Sequence, residues 1–330
     1  MRSGCLLSDP INLFYEEPNH DRWLPYDRYP RAVIRRVVRG RPISGGQKLV
    51  FLNLLQGLER IGVPTRVNDF QFAKRNPNAL ACIIGKPCIL DKIVWRNPIL
   101  FGSATSSHPI DDPNLLDRLP VRKVLVPGPW SKAMFSTLWG NAVEAWPVGI
   151  DTKLWSPSSQ KTFDVLIYNK VRWDHSKQED ELMRPIRTWL RKKGVSFFEI
   201  RYGFYRPLEF RVKLAQCRAM IFVCEHETQG LAYQQALSCD VPVFAWNRGG
   251  AWRDPTYYPH RVVFEPVTSV PYWDQRCGLT FENLHQFKTN WEEFWAGVLS
   301  SRFKPREYIV ENLTLEHCAR AYSQIAQSLC

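Results

Sequence analysis

The chain has 330 residues, 45% apolar and 23% charged, a balance that excludes a disordered, collagen-like or coiled-coil polypeptide and a length that suggests about two domains. With 44 Lys and Arg against 32 Asp and Glu the formal charge is +12, and most of the excess lies early: 20 basic and 12 acidic residues in 1–150, 24 and 20 in 151–330. The longest charge-free apolar runs, 219–224 and 241–246, fall far short of a bilayer span. The opening MRSGCLLSDP, broken by Asp9 and Pro10, lacks the pattern of a secretion signal, so a cytoplasmic location is expected. The nine cysteines contain no CxxC pair and no zinc-like spacing, and they are read as reduced thiols.

In chain order, 11–18 (INLFYEEP) is the first expected strand. A Pro- and Arg-rich insertion follows, and its run 28–48 holds Arg28, Arg31, Arg35, Arg36, Arg39, Arg41 and Lys48 with no acid. Such a run suits nucleic-acid phosphates, an anionic membrane surface or a small phosphorylated ligand, and equally a solvated basic face. Ser44-Gly45-Gly46 then opens a segment whose Leu49, Leu54, Leu55 and Leu58 recur at helical spacing. Strands are expected at 64–69, 79–85, 98–104 and 123–128, and a helix at 131–140, with 142–151 closing the domain. The polar stretch 152–162, TKLWSPSSQKT, reads as a linker. The second half repeats the alternation, with strands at 163–169, 196–203, 219–225, 242–247 and 261–265. Its helices fall at 177–193, 208–218, 230–238, near 281–299 and at 305–327. Strand and helix alternating in both halves argue for two doubly wound parallel α/β domains.

The most informative segment is 219–247, AMIFVCEHETQGLAYQQALSCDVPVFAWN. A buried strand runs into acidic residues, Gly230 opens a helix, and a tight turn leads to another buried strand. Glycine lets a backbone approach a ligand closely, and the amides of Gly230 and Leu231 at the helix start form an anion site. The junction lies at the carboxyl end of a strand, where open α/β sheets bind ligands. Glu227 faces the ligand in this reading, and Gln235, two helical turns on, reaches a second part of it. A one-step change of register makes Glu225 and His226 the ligand-facing pair instead.

This segment resembles the signature of retaining GT-B glycosyltransferases of family four, in which a Glu, seven residues and a second Glu precede an Ala-Met-Ala-like triplet and Pro-Val. Glu227 matches the first Glu, Gly230 the internal glycine, Ala236-Leu237-Ser238 the triplet and Pro242-Val243 the strand start. Gln235 stands where the family has its second Glu. Three further segments are similar in the same order: 124–135 to the last N-domain strand and helix, 146–157 to the inter-domain segment, and 305–326 to a final helix that crosses back to the first domain. The likeness covers about 120–330 well and 1–110 loosely.

The resemblance implies an α/β GT-B architecture, two Rossmann-like domains facing each other across a cleft. The domains fall at 1–150 (acceptor-binding), 151–162 (linker), 163–302 (nucleotide-sugar-binding) and 303–330 (returning helix). It implies transfer of a hexose, with retention and without a metal, from a nucleotide-sugar donor to a saccharide or lipid-linked acceptor, with no cofactor beyond that substrate. Lys170, after the strand 163–169, matches the cation that meets the donor diphosphate, and Arg172 or Lys177 the second cation. Gly45 and Gly46 are the candidates for the N-domain glycine loop, and His108 for an acceptor-side polar group. Base contacts are expected around Gly203 to Tyr205, and ribose contacts at Gln235, whose amide both donates and accepts but without charge assistance. A lipid-linked acceptor suits contact of 28–48 with the inner membrane face. Two other classes compete. A catalytically idle GT-B protein that binds nucleotide sugars or glycans fits Gln235 and the irregular first 110 residues. A nucleic-acid-binding protein fits the charge, but no recognised motif supports it.

Overall fold

A computed structural model describes residues 9–16, 46–103 and 106–330. Most of the basic run, with Gly45, lies outside these residues. The chain forms two compact units: 1–127, 135–149 and 315–330 make the first, and 128–134 with 150–314 the second. Residues 128–134 thus group with the second unit and 315–330 with the first.

The first unit is built on a six-stranded parallel sheet. Its strands are β1 (Ile11–Tyr15), β2 (Thr65–Val67), β3 (Ala81–Ile84), β4 (Ile99–Phe101), β5 (Val121–Val126) and β6 (Val143–Ala145), in the order β2-β1-β3-β4-β5-β6. Helix α1 (Gly46–Arg60) buries Val50, Phe51, Leu54 and Leu58, close to the stripe read from the sequence. It ends as Val63 N reaches back to Leu58 O at 2.9 Å around Gly62 at φ +73°, the left-handed close that glycine favours. Short helices α2 (Phe70–Arg75) and α3 (Leu115–Arg118) follow, and α4 (Pro129–Trp139) leads toward β6.

The second unit has five parallel strands. These are β7 (Phe163–Asn169), β8 (Phe197–Arg201), β9 (Cys217–Val223), β10 (Val243–Trp246) and β11 (Gly278–Phe281), in the order β11-β10-β9-β7-β8. Helix α5 is assembled from His175–Gln178, a π-helical turn Glu179–Met183 and Arg184–Lys192; α6 is Pro207–Gln216, α7 Leu231–Ser238 and α8 Leu284–Leu299. Val165 to Tyr168 and Ala219 to Val223 are almost fully buried, as strands covered on both faces must be. On one face Ile186 and Leu190 of α5 and Phe287, Trp291 and Phe294 of α8 pack against Ile167, Ile221 and Phe244.

Two expected elements take another form. Residues 261–265 are not a strand. Pro259 and Pro266 bracket them, and neither can donate to a ladder. Their neighbourhood instead makes isolated bonds, Trp252 N to Phe264 O at 2.8 Å and Val267 N to Gly250 O at 3.0 Å, while β11 takes the place beside β10. The expected helix 305–327 is two helices, α9 (Pro305–Asn312) and α10 (Leu315–Gln327). Between them Thr314 leaves the helical path to bridge Ile150, and Ile150 N donates to Leu313 O at 2.8 Å. Helix α10 docks on the first unit. A Cβ on Gly57 of α1 would lie 2.6 Å from Leu315 O, and Trp146 donates to Cys318 O at 2.9 Å while its ring meets Tyr322. Among the described residues no helix is long and apolar enough to cross a membrane.

Candidate functional site

In the second sheet the chain runs from β7 out to β8 and then returns to the other side of β7 as β9, so the connections diverge between β7 and β9. Ligands of open α/β sheets bind at the carboxyl ends of the strands at such a switch point. Lys170 is the first residue past β7, and its amide extends the ladder by donating to Val223 O at 2.7 Å. Cys224, Glu225, His226 and Glu227 leave the end of β9 and are all buried. The topology therefore brings Lys170 and Glu227 to one point from positions 57 apart in sequence.

There Lys170 Nζ donates to Glu227 Oε1, with side chains only 17% and 11% exposed. The Cys224 thiol lies 3.6 Å from the same carboxylate oxygen. Burial alone pulls the Lys170 ammonium down, but the Glu227 carboxylate carries it above its ordinary value. Burial, with Glu227 next, pushes the Cys224 thiol well up, so it stays protonated. The Lys170 ammonium also lies 4.5 Å from the centre of the Tyr202 ring, a cation–π contact.

The backbone of Glu227 is held from two further directions. Its amide donates to Thr268 O at 3.0 Å, and its carbonyl accepts the Trp130 indole at 2.6 Å. A Cβ on Gly128 would lie 2.1 Å from Thr228 O, so only glycine allows 128–134 to sit this close. Glu225 takes a different part. Its carboxylate accepts the amides of Arg172 at 2.9 Å and Trp173 at 3.1 Å, and so fixes the loop after β7 that carries Arg172.

Gly230 caps α7 at φ +87°. A Cβ there would fall 2.0 Å from the ring of Tyr233, a buried side chain. The glycine is thus first required by its own helix, whereas the sequence reading assigned it to a ligand. The helix ladder begins with Gln234 N donating to Gly230 O. Among the described residues no hydrogen bond uses the Gly230 or Leu231 amide, as expected of a first helical turn. Gln235 is 8% exposed and makes no side-chain hydrogen bond among the described residues. The adjacent Gln234 is spent on the turn, donating to Gln229 O at 2.9 Å. Tyr205 OH pairs with Tyr168 OH at 2.7 Å, and burial pushes both phenols up. Arg172 is exposed, with its guanidinium 4.7 Å from the centre of the Trp173 ring.

His226 is 3% exposed, and neither ring nitrogen has a hydrogen-bond partner among the described residues. Trp173, Trp130 and Trp252 lie around it, with ring centres at 5.2, 5.5 and 6.4 Å. Burial, then the Arg172, Arg248 and Lys170 cations, pushes its pKa down to about 3. The unfolded chain, with an ordinary value near 6.5, takes up this proton first as pH falls. Folding stability is therefore lost progressively from about pH 6.5 toward 3, by about 1.4 kcal/mol per pH unit. A His226→Phe variant is expected to lose about 3 kcal/mol less than the parent between pH 7.5 and 4.5 in urea unfolding; an equal loss in both refutes this account.

The remaining expected residues lie in the first unit. Gly46 begins α1, whose Phe51 stacks on Tyr15 at 4.7 Å at the end of β1. His108 caps the short 3₁₀ turn Pro109–Asp111, its Nδ1 accepting from Ile110 N at 3.1 Å. That nitrogen is committed to the cap. No group of three or more His, Cys, Asp or Glu able to hold a metal ion occurs among the described residues.

Trp130 and the loop-holding use of Glu225 were missed from sequence. The acid directly after an apolar strand was a usable signal for Glu225. Trp130 has none, since its partner is 97 residues away.

The sequence matches no protein-family model and no curated protein. Solved structures do match. Sucrose-phosphate synthase from Thermosynechococcus elongatus superposes with a TM-score of 0.56 at 12% identity, over 97% of this chain and 98% of that one. A TarM variant from S. aureus in complex with fondaparinux, alpha-GlcNAc-glycerol and UDP gives 0.53 at 12% identity, over 84% and 58%. The catalytic domain of starch synthase IV from Arabidopsis thaliana, bound to ADP and acarbose, gives 0.50 at 12% identity, over 88% and 79%. What these proteins share with this chain is the fold, two Rossmann-like α/β units of the GT-B type.

Proposed function

We propose that this protein is a glycosyltransferase that moves a hexose from a nucleotide-diphosphate sugar to a hydroxyl of a saccharide or lipid-linked acceptor, with retention at the anomeric carbon. The observation that carries the reading is the buried Lys170–Glu227 pair at the β7/β9 switch point, beside the start of α7. In this reading Lys170, Arg172 and the Gly230 and Leu231 amides stabilise charge developing on the leaving diphosphate, as a preorganised electrostatic site. Glu227 orients the sugar hydroxyls, and its negative charge favours the positive charge that builds on the ring. Gln235, with its amide uncommitted, takes the ribose hydroxyls. The leaving diphosphate itself accepts the acceptor proton, so no second carboxylate and no metal is called for. GT-B neighbours solved with UDP, ADP and acarbose support the donor and acceptor classes. Contact of 28–48 with an anionic membrane belongs to the same proposal, through the lipid-linked acceptor.

The test is incubation with a panel of nucleotide sugars, reading released nucleoside diphosphate and the anomeric configuration of the product by NMR. Release with one donor and an unchanged configuration are expected. Donor binding without any release instead supports the idle reading, which Gln235 in place of a glutamate favours. No binding of any donor refutes both.

A further inference from the structure

Several cations at this end of the second sheet, Arg201 and Arg253 among them, meet no carboxylate among the described residues, and two of them sit on loops tied to one side chain. One is Arg172, on the loop after β7. The other is Arg248, two residues past β10, half-buried, whose guanidinium donates only to Ala251 O at 3.2 Å. Glu225, the acid that attracts Arg248, is already engaged by the Arg172 and Trp173 amides. Burial, with the neighbouring Arg253 adding, pushes the Arg248 guanidinium down.

The two loops are tied to one side chain. Trp173, next to Arg172, and Trp252, four residues past Arg248, both pack on the His226 ring. Trp246 pairs with Val223 across β10 and β9, and Asn169 pairs with Val223 across β7 and β9, so both loops leave the sheet at the same end. The Arg248 loop is backed from behind by its bonds to Phe264 and Val267. A guanidinium held half out of water with no counterion costs desolvation energy. An anion reaching it offsets that cost, and the guanidinium fork matches a phosphate in two parallel hydrogen bonds.

We propose that Arg248 is a phosphate-holding residue of the donor site, working with Arg172 across the Trp173–His226–Trp252 ring cluster to select a nucleoside diphosphate over its uncharged nucleoside. This rests on the donor reading above.

Isothermal titration of the parent, Arg248→Gln and Arg248→Lys with UDP, ADP and GDP and with the matching nucleosides tests it. For the diphosphate the parent binds, the Gln variant is expected to bind about tenfold or more weakly and the Lys variant to fall between. Nucleoside affinity should stay the same. A Gln variant that matches the parent on the diphosphate overturns the assignment, as does one that loses nucleoside and diphosphate by the same factor. Should the Gln variant melt early, the Lys variant decides: a selective loss on the diphosphate supports the assignment, and an unchanged affinity overturns it. A parent that binds no diphosphate at all overturns the donor reading as well, whereas a binding parent with indifferent variants overturns Arg248 alone.

Discussion

Replacing Lys170 with methionine is expected to lower turnover by about 100-fold or more and to destabilise the second unit by about 3–5 kcal/mol. The two losses have different origins. In the proposed reaction, the first removes a cation from the position where charge develops on the leaving diphosphate. The second leaves Glu227, 11% exposed, as a buried charge without its ion-pair partner. A double variant, Lys170→Met with Glu227→Gln, separates them. Removing both charges relieves the orphaned carboxylate, so most of the stability should return in urea unfolding while turnover stays lost. A double variant as unstable as Lys170→Met refutes the pair as the source of that stability, and one that regains turnover refutes the catalytic assignment. The pair also has a defined pH window. The ammonium is raised above its ordinary value, so its contribution is full below the usual lysine range and fades only as pH rises through and beyond it.

A single methyl group at position 230 should be nearly as damaging. Gly230→Ala puts an L-residue at φ +87°, a conformation that costs about 1–2 kcal/mol. Its Cβ would fall 2.0 Å from the Tyr233 ring. That ring cannot swing aside cheaply, because its hydroxyl is bonded to Tyr272 and the side chain is fully buried. Adding the cost of overpacking, a loss of about 3 kcal/mol or more is expected, measured by urea unfolding. Displacement of the Gly230–Leu231 amides should weaken nucleoside diphosphate binding in parallel. A variant with parental stability would show that the turn accommodates a side chain after all. A stable variant that keeps its diphosphate affinity would remove these amides from the donor site.

The site itself was legible in part. Glu227, Gly230 and Gln235 could be named before any coordinates from their place after a short apolar run read as a strand, since strand ends are where open sheets present ligand-binding groups, and Lys170 from the resemblance to the family-four signature. The reason for Gly230 could not be named. Its clash is with a tyrosine three residues on, and whether that ring folds back over the glycine depends on the Tyr272 backbone, far along the chain. Glu225 and His226 were read only as the ligand-facing pair of a shifted register, not as the group that fixes the Arg172 loop and the ring that both loops pack on.

The strands and helices of the two units follow from periodicity. Continuous apolar runs of four to seven residues become buried parallel strands, and apolar residues three and four apart become docked helix faces. These are short-range properties, carried by neighbouring residues, so a linear reading reaches them. Which segment takes the edge beside β10, where a long C-terminal helix breaks to bridge Ile150, and why 128–134 packs against Glu227 are of another kind. Each depends on a backbone group finding a partner across tens to hundreds of residues. Such pairing is set by the free energy of the whole packed unit, and it leaves no periodic trace in the segments that make it.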